Sequence, residues 1–247
     1  MKTGTYLKFQ FVVSLLVITL VFASSCTDFM FNPPVKGNGI LATAEREASE
    51  FSEISYGIPG KLILKKGSTP SIVIEADENI IPLVETRVVN NRLNIKTKEN
   101  LLPGKNGLTV CVTIPDIRYM SVNGSGNIRV EDVFQTGQLS LKINGSGNIS
   151  METEAEKLNS RINGSGGIDL KGYSEIHTID ITGSGSVMAY DAETLECSVK
   201  VMGSGNSYVT VTEDLDVHIM GSGNVYVKGS PLTNVRTQGS GKVIKVQ

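Results

Sequence analysis

Seven serines stand in the same local setting, each between two glycines: Ser125, Ser146, Ser165, Ser184, Ser204, Ser222 and Ser240. A glycine-flanked serine is part of the sharp elbow that presents a nucleophile. That chemistry also needs a strand-turn-helix setting and a histidine paired with an acid. The chain has two histidines, His177 and His218, and no helical pattern follows any of the serines. Neither histidine has a second histidine or a cysteine at metal-ligand spacing, so no metal site is expected. Nor does the tripeptide open a helix whose N-terminus would hold a phosphate. The serines read as turn residues, and neither a catalytic residue nor a cofactor is expected.

Carboxylate pairs, which cleave polysaccharides, are the next candidates. Aligning the repeats on the tripeptide puts Glu131 and Glu152 in one column of adjacent repeats, without a companion acid, base or arginine. Asp132 and Asp191 share another column but stand three repeats apart. At a strand spacing of about 4.8 Å that is roughly 14 Å, beyond the separation glycosidases use. The remaining signal is basic. Three residues before each tripeptide lie Ser121, Lys142, Arg161, Asp180, Lys200, His218 and Arg236. Stacked on a flat face, Lys142, Arg161, Lys200, His218 and Arg236 would form a strip able to contact an acidic glycan or an acidic partner. The plainer alternative is a solvated strand face, on which basic residues discourage edge pairing. Tyr208 and Tyr226 would offer a second, stacking surface on the other sheet.

What must position these residues is the repeat itself. Gly-Ser-Gly begins at Gly124, Gly145, Gly164, Gly183, Gly203, Gly221 and Gly239, in steps of 21, 19, 19, 20, 18 and 18 residues. Two residues before it stand Val122, Ile143, Ile162, Ile181, Val201, Ile219 and Thr237, and beyond it Ile128, Ile149, Ile168, Val187, Ser207, Val225 and Val243. Apolar and polar residues alternate on both sides, the pattern of a half-buried strand rather than of a helix. The first glycines, together with Gly126, Gly147, Gly166, Gly185, Gly205, Gly223 and Gly241, allow a sharp corner between strands. Asn123, Asn144 and Asn163 strengthen the first three turns. Like positions recur once per two strands, so like corners should lie above like corners. That favours an all-β solenoid, a β-helix with 18–21 residues per coil, over a meander or barrel.

The single solenoid domain is placed at 36–247, with irregular early coils and a cap over 36–117 and the seven repeats over 118–247. Strand-like runs at 61–64, 72–75, 92–96 and 108–114 are separated by turn residues. Gly37-Asn38-Gly39 reads as a degenerate corner and 42–50 as a short helix. The last strand, 243–246, has no cap behind it, which points to a dimer through the solenoid ends.

The net charge of −2 and the 19% of charged residues provide no field to recruit nucleic acid. At the N-terminus Lys2 and Lys8 precede an apolar run over 9–23, and Ala23-Ser24-Ser25 lead into Cys26. Residues 1–25 therefore read as a secretory signal, too short to span a bilayer comfortably. Cys26 directly after small residues resembles a bacterial lipobox. It would be acylated, with 26–35 as a tether and the membrane as a partner. The expected location is the bacterial envelope, on the periplasmic side of the outer membrane or on the cell surface. Cys197 falls in register with core positions and Cys111 does not, so both are expected to be free.

Taken together, Gly37-Asn38-Gly39, Phe51-x-x-Ile54, Leu93-x-Ile95, Val112-x-Ile114-Pro115 and the serial Gly-Ser-Gly copies resemble the head GIN domain family of auto-transporter adhesins, from about residue 35 to 247. The resemblance implies a right-handed, pectin-lyase-like β-helix and a lipoprotein acting in adhesion without catalytic residues. Two alternatives stay open, a polysaccharide-acting β-helix enzyme and a purely structural envelope protein.

Overall fold

The corners explain the stacking. In a computed structural model, which describes residues 33–246, the first glycine of every Gly-Ser-Gly has φ between 113° and 133°, a region L side chains rarely enter. In all but the last copy its carbonyl accepts two N–H groups from the next coil, for example Ser146 and Gly147 onto Gly124 at 2.9 and 3.0 Å. The second glycine is needed for clearance instead. A Cβ on Gly147 would overlap the carbonyl of Gly126 and the Val122 side chain, and the same holds for Gly166 over Gly147. The serines themselves are exposed on the corner. Every corner therefore sits directly on the one before it.

From 119 onward, the strand approaching each corner pairs in parallel with its equivalent in the next coil, residue for residue. Val122 lies opposite Ile143, Ile143 opposite Ile162 and Ile162 opposite Ile181. The strand leaving the corner does the same, with Ile149 opposite Ile168. The result is a β-solenoid of about seven turns, filled by inward columns such as Leu141, Ile143, Ile162, Ile179, Val199 and Val217. Differences in coil length are absorbed beyond the departing strand, where register slips between Asp169/Lys171 and between Ala189/Glu193.

The early region departs from a serial solenoid. Strands Glu53–Tyr56 and Lys61–Lys66 form a coil whose corner is Gly57-Ile58-Pro59-Gly60. It is sandwiched: Tyr119–Gly124 and Asn127–Val130 pair with one side, Arg92–Lys96 and Leu108–Ile114 with the other. The chain thus lays down an inner coil, wraps behind it, and crosses back through 115–118. Two antiparallel partners close that end, Ser71–Asp77 on Leu108–Ile114 and Glu85–Val89 on Arg92–Lys96.

Two expectations fail here. Residues Leu41–Arg46 form a strand, not a helix, antiparallel to Ser71–Asp77. That partner has an open edge, and Ala42 and Ala44 alternate onto the core, so tertiary pairing overrides helix propensity. Gly37-Asn38-Gly39 is not a coil corner either. It follows Val35–Lys36, which pairs with Leu101–Leu102 in a separate two-stranded sheet. Gly37 and Gly104 are glycines because the buried Asp77 carboxylate lies against both. Asn106 donates a hydrogen bond to one of its oxygens. The proposed signal segment 1–25 and Cys26 lie outside the described residues.

Candidate ligand-binding face

The basic column forms as spacing predicts. Ser121, Lys142, Arg161, Asp180, Lys200, His218 and Arg236 are successive register partners across the approach strands. Arg161 donates to Asp180 at 2.8 Å. Among the described residues no ion pair engages Lys142, Lys200 or Arg236.

Alongside this column, two residues closer to the strand start, runs a floor of short polar side chains: Ser140, Asn159, Thr178 and Ser198. The opposite rim is Gln138, Lys157, Ile176, Glu196 and Asp214. The rim changes sign along the axis. Glu196 and Asp214 on the rim, joined by Asp216 at the end of the floor column, flank Lys200 and His218 in the later coils, whereas Lys157 stands across from Lys142 and Arg161 in the earlier ones. Lys142 and Lys157, which no ion pair engages among the described residues, stand on both sides of the floor in the first coils, with Glu156 next to Lys157 in the chain.

There the face deepens into a cleft of about 740 Å³ lined by Arg118, Tyr119, Gln135, Gln138, Ser140, Glu156 and Lys157, and an adjoining one of about 380 Å³ reaches Lys142, Arg161 and Asp180. The crossing segment makes one wall: the N–H of Arg118 bonds to Ser52 and its carbonyl accepts from Ser140. Tyr119 heads the floor column. The Arg92 guanidinium covers one face of its ring at 4.5 Å, and the next residue in the column, Ser140, is too short to cover the other. Two acids on the cleft wall are tied to arginines, Glu53 to Arg92 at 2.6 Å and Asp116 to Arg118 at 3.3 Å. Tyr119, Gln138 and Lys157 were missed in the sequence because one column was followed alone; a lone tyrosine above a run of small polar residues was the available signal.

The other candidates resolve into structure. Glu131 meets Lys65 at 3.3 Å and Asp132 accepts the N–H of Lys66 at 2.8 Å. Tyr208 and Tyr226 stack on each other with centroids 4.7 Å apart, and Tyr190 meets Tyr208 edge-on. Their faces are spent on one another rather than presented as a flat platform. His177 is buried and bonded to Ser160 at 2.9 Å; burial lowers its pKa to about 3. Cys111 and Cys197 are free thiols, and burial pushes Cys197 up to about 12, which suppresses the reactive thiolate. Among the described residues no cluster of histidine, cysteine or acid could hold a metal ion.

The profile of the head GIN domain, described as a putative auto-transporter adhesin, matches residues 50–231. The chain belongs to the head GIN domain family. A putative adhesin from Bacteroides fragilis NCTC 9343 shares the fold with a TM-score of 0.81 at 23% identity, covering 86% of this chain and 100% of its own. A putative lipid binding protein from Parabacteroides distasonis ATCC 8503 gives 0.74 at 22% identity over 87% and 100%. A putative adhesin from Parabacteroides merdae ATCC 43184 gives 0.70 at 25% identity over 86% and 99%. No curated protein matches the chain in sequence. The description of the head GIN family suggests an extracellular or cell-envelope protein. No helix among the described residues is long and apolar enough to cross a membrane.

Proposed function

We propose that this head GIN protein is a non-enzymatic binding module of the bacterial envelope. Acyl chains on Cys26 anchor it, and the face bearing Lys142, Arg161, Lys200, His218 and Arg236 contacts an acidic surface glycan. The observation that carries this reading is the in-register stacking of the basic column. Cations held one strand spacing apart repel each other, and an extended polyanion lying along the axis relieves that repulsion. The carboxylates lining the cleft support a binding role over a hydrolytic one, because arginines hold Glu53 and Asp116 as ion pairs and Glu156 then lacks the second free carboxylate that glycoside cleavage uses.

The test is retention of the full chain, purified in detergent, on immobilised polygalacturonate across a salt series. The native protein is retained at low salt and released as salt rises. Replacing Lys142, Arg161 and Lys200 together with alanine abolishes retention while the melting curve stays in place. Unchanged retention, or release of shortened oligosaccharides, overturns the reading. Anchoring has its own check: metabolic labelling with palmitate marks the native chain, and Cys26→Ala loses the label and leaves the membrane fraction.

A further inference from the structure

The basic column explains attraction to a polyanion but does not select one. Selection needs a surface that distinguishes a sugar ring from any other anion. The geometry points to the cleft at the first Gly-Ser-Gly coils as a carbohydrate subsite, in which one pyranose ring of an acidic oligosaccharide lies on the open face of Tyr119. This assignment rests on the reading of the basic face as a glycan contact.

Four observations converge on that cleft. The first is the half-covered ring: Arg92 occupies one face of Tyr119, fixing its plane, while the small Ser140 leaves the other side open to both adjoining cavities. The apolar C–H face of a pyranose packs on such a ring, as apolar surface does on aromatic faces generally. The second is the floor. Ser140, Asn159 and Thr178 are short and polar, so a ring can approach the sheet closely while its hydroxyls meet donors and acceptors.

The third is the wall. Gln135 donates to Glu154 at 2.7 Å, leaving its amide oxygen to accept, and the Gln138 side chain has no hydrogen-bond partner among the described residues. Planar amides supply a donor and an acceptor each, which suits adjacent hydroxyls. The fourth is charge. Lys142 and Lys157 stand on opposite rims of the floor, without ion-pair partners among the described residues, and are the cations open to the acidic substituent in a cleft that Glu156 also lines. A few placed polar groups around an apolar contact make a ligand site. The tyrosine ladder on the other sheet lacks this arrangement, because each ring there is covered by its neighbour.

The cleft also has a topological cause. It lies where 115–118 crosses back over the inner coil, and where the first repeat carries 21 residues against 19 in the next two. The extra residues fall within 130–133, between the Arg129/Ser150 and Phe134/Thr153 partners, and 135–138 then run in register with the next coil along the cleft. Later coils, without a crossing chain, have no equivalent wall.

Two probes of different chemistry test the subsite by calorimetric titration of the full chain in detergent. Hexagalacturonate carries both rings and charge, and inorganic polyphosphate carries charge alone. Tyr119→Ala weakens hexagalacturonate about tenfold and leaves polyphosphate unchanged, whereas Tyr119→Phe, which keeps the ring, binds both as the native chain does. Lys142→Ala weakens both probes. If Tyr119→Ala binds hexagalacturonate as tightly as the native chain, the subsite is wrong while the basic-face reading survives. If neither probe binds the native chain, or the triple alanine variant of the basic column binds both unchanged, the basic-face reading fails and the subsite falls with it. Circular dichroism melts of each variant separate lost binding from lost folding.

Discussion

The two outward faces of the solenoid are built by the same stacking and use it in opposite ways. On the face that follows each corner, Tyr208 and Tyr226 lie parallel at 4.7 Å and Tyr190 closes on them edge-on, with Lys228 over its ring. Asparagines at the corners behave similarly, Asn144 donating to Asn123 and Asn163 to Asn144. Each side chain there completes its neighbour. On the face that precedes the corner, stacking sets Lys142 against Arg161 and runs Lys200, His218 and Arg236 in succession, and among the described residues the one ion pair in this column is Arg161 with Asp180. Like charges about 4 Å apart repel by about 1 kcal/mol even in water. Repetition therefore stabilises where a residue attracts its own kind. Where it does not, repetition leaves a demand that a ligand can meet.

The largest difference between the two faces lies in the core behind them. Beneath the basic face the core column holds His177, bonded to Ser160, whereas the tyrosine face is backed mainly by aliphatic side chains such as Ile168, Leu170, Val225 and Val227. His177 stays neutral when folded, with a pKa of about 3 against 6.5 unfolded. Above pH 6.5 both states are neutral and nothing is lost. As pH falls from 6.5 toward 3 the unfolded chain takes up the proton first, so stability drops, by about 3 kcal/mol at pH 4. Denaturant melts between pH 7 and 4 should show this loss, and the double variant Ser160→Ala/His177→Leu should lack that part of it. An identical pH slope in the two would show that His177 is not the cause.

The next effect separates the faces directly. Tyr208→Ala removes the middle of the ladder and should cost about 2 kcal/mol of stability without changing retention on polygalacturonate. Lost retention in a folded Tyr208→Ala protein would mean that the tyrosine face, not the basic face, touches the ligand. The smallest effect lies within the basic column. Asp180→Asn frees Arg161, lowering stability by about 0.5 kcal/mol at low salt and tightening polyanion binding a few-fold. Weaker binding would assign Asp180 to the ligand contact rather than to charge relief.

The solenoid was legible because its determinants are local and periodic. Gly124 and Gly126 state the corner in three letters, and alternation states the strands. The early region was not, because its order is topological. Nothing in 53–66 signals that 92–114 will pair on one side and 119–130 on the other, and Leu41–Arg46 has helix-forming residues but a strand partner 30 residues away. The site divides along the same line. The basic column could be read by counting from each corner, whereas the cleft depends on the crossing at 115–118 and on Arg92 reaching over an intervening coil to Tyr119.

The most direct test of the central claim is a crystal structure of the protein with hexagalacturonate. The account predicts an oligosaccharide lying along the solenoid axis over Ser140 and Asn159. One ring should rest on the face of Tyr119 opposite Arg92, with carboxylates within reach of Lys142 or Lys157. A sugar bound instead on the tyrosine ladder, or held away from the face that carries Lys142 and Arg161, would contradict it.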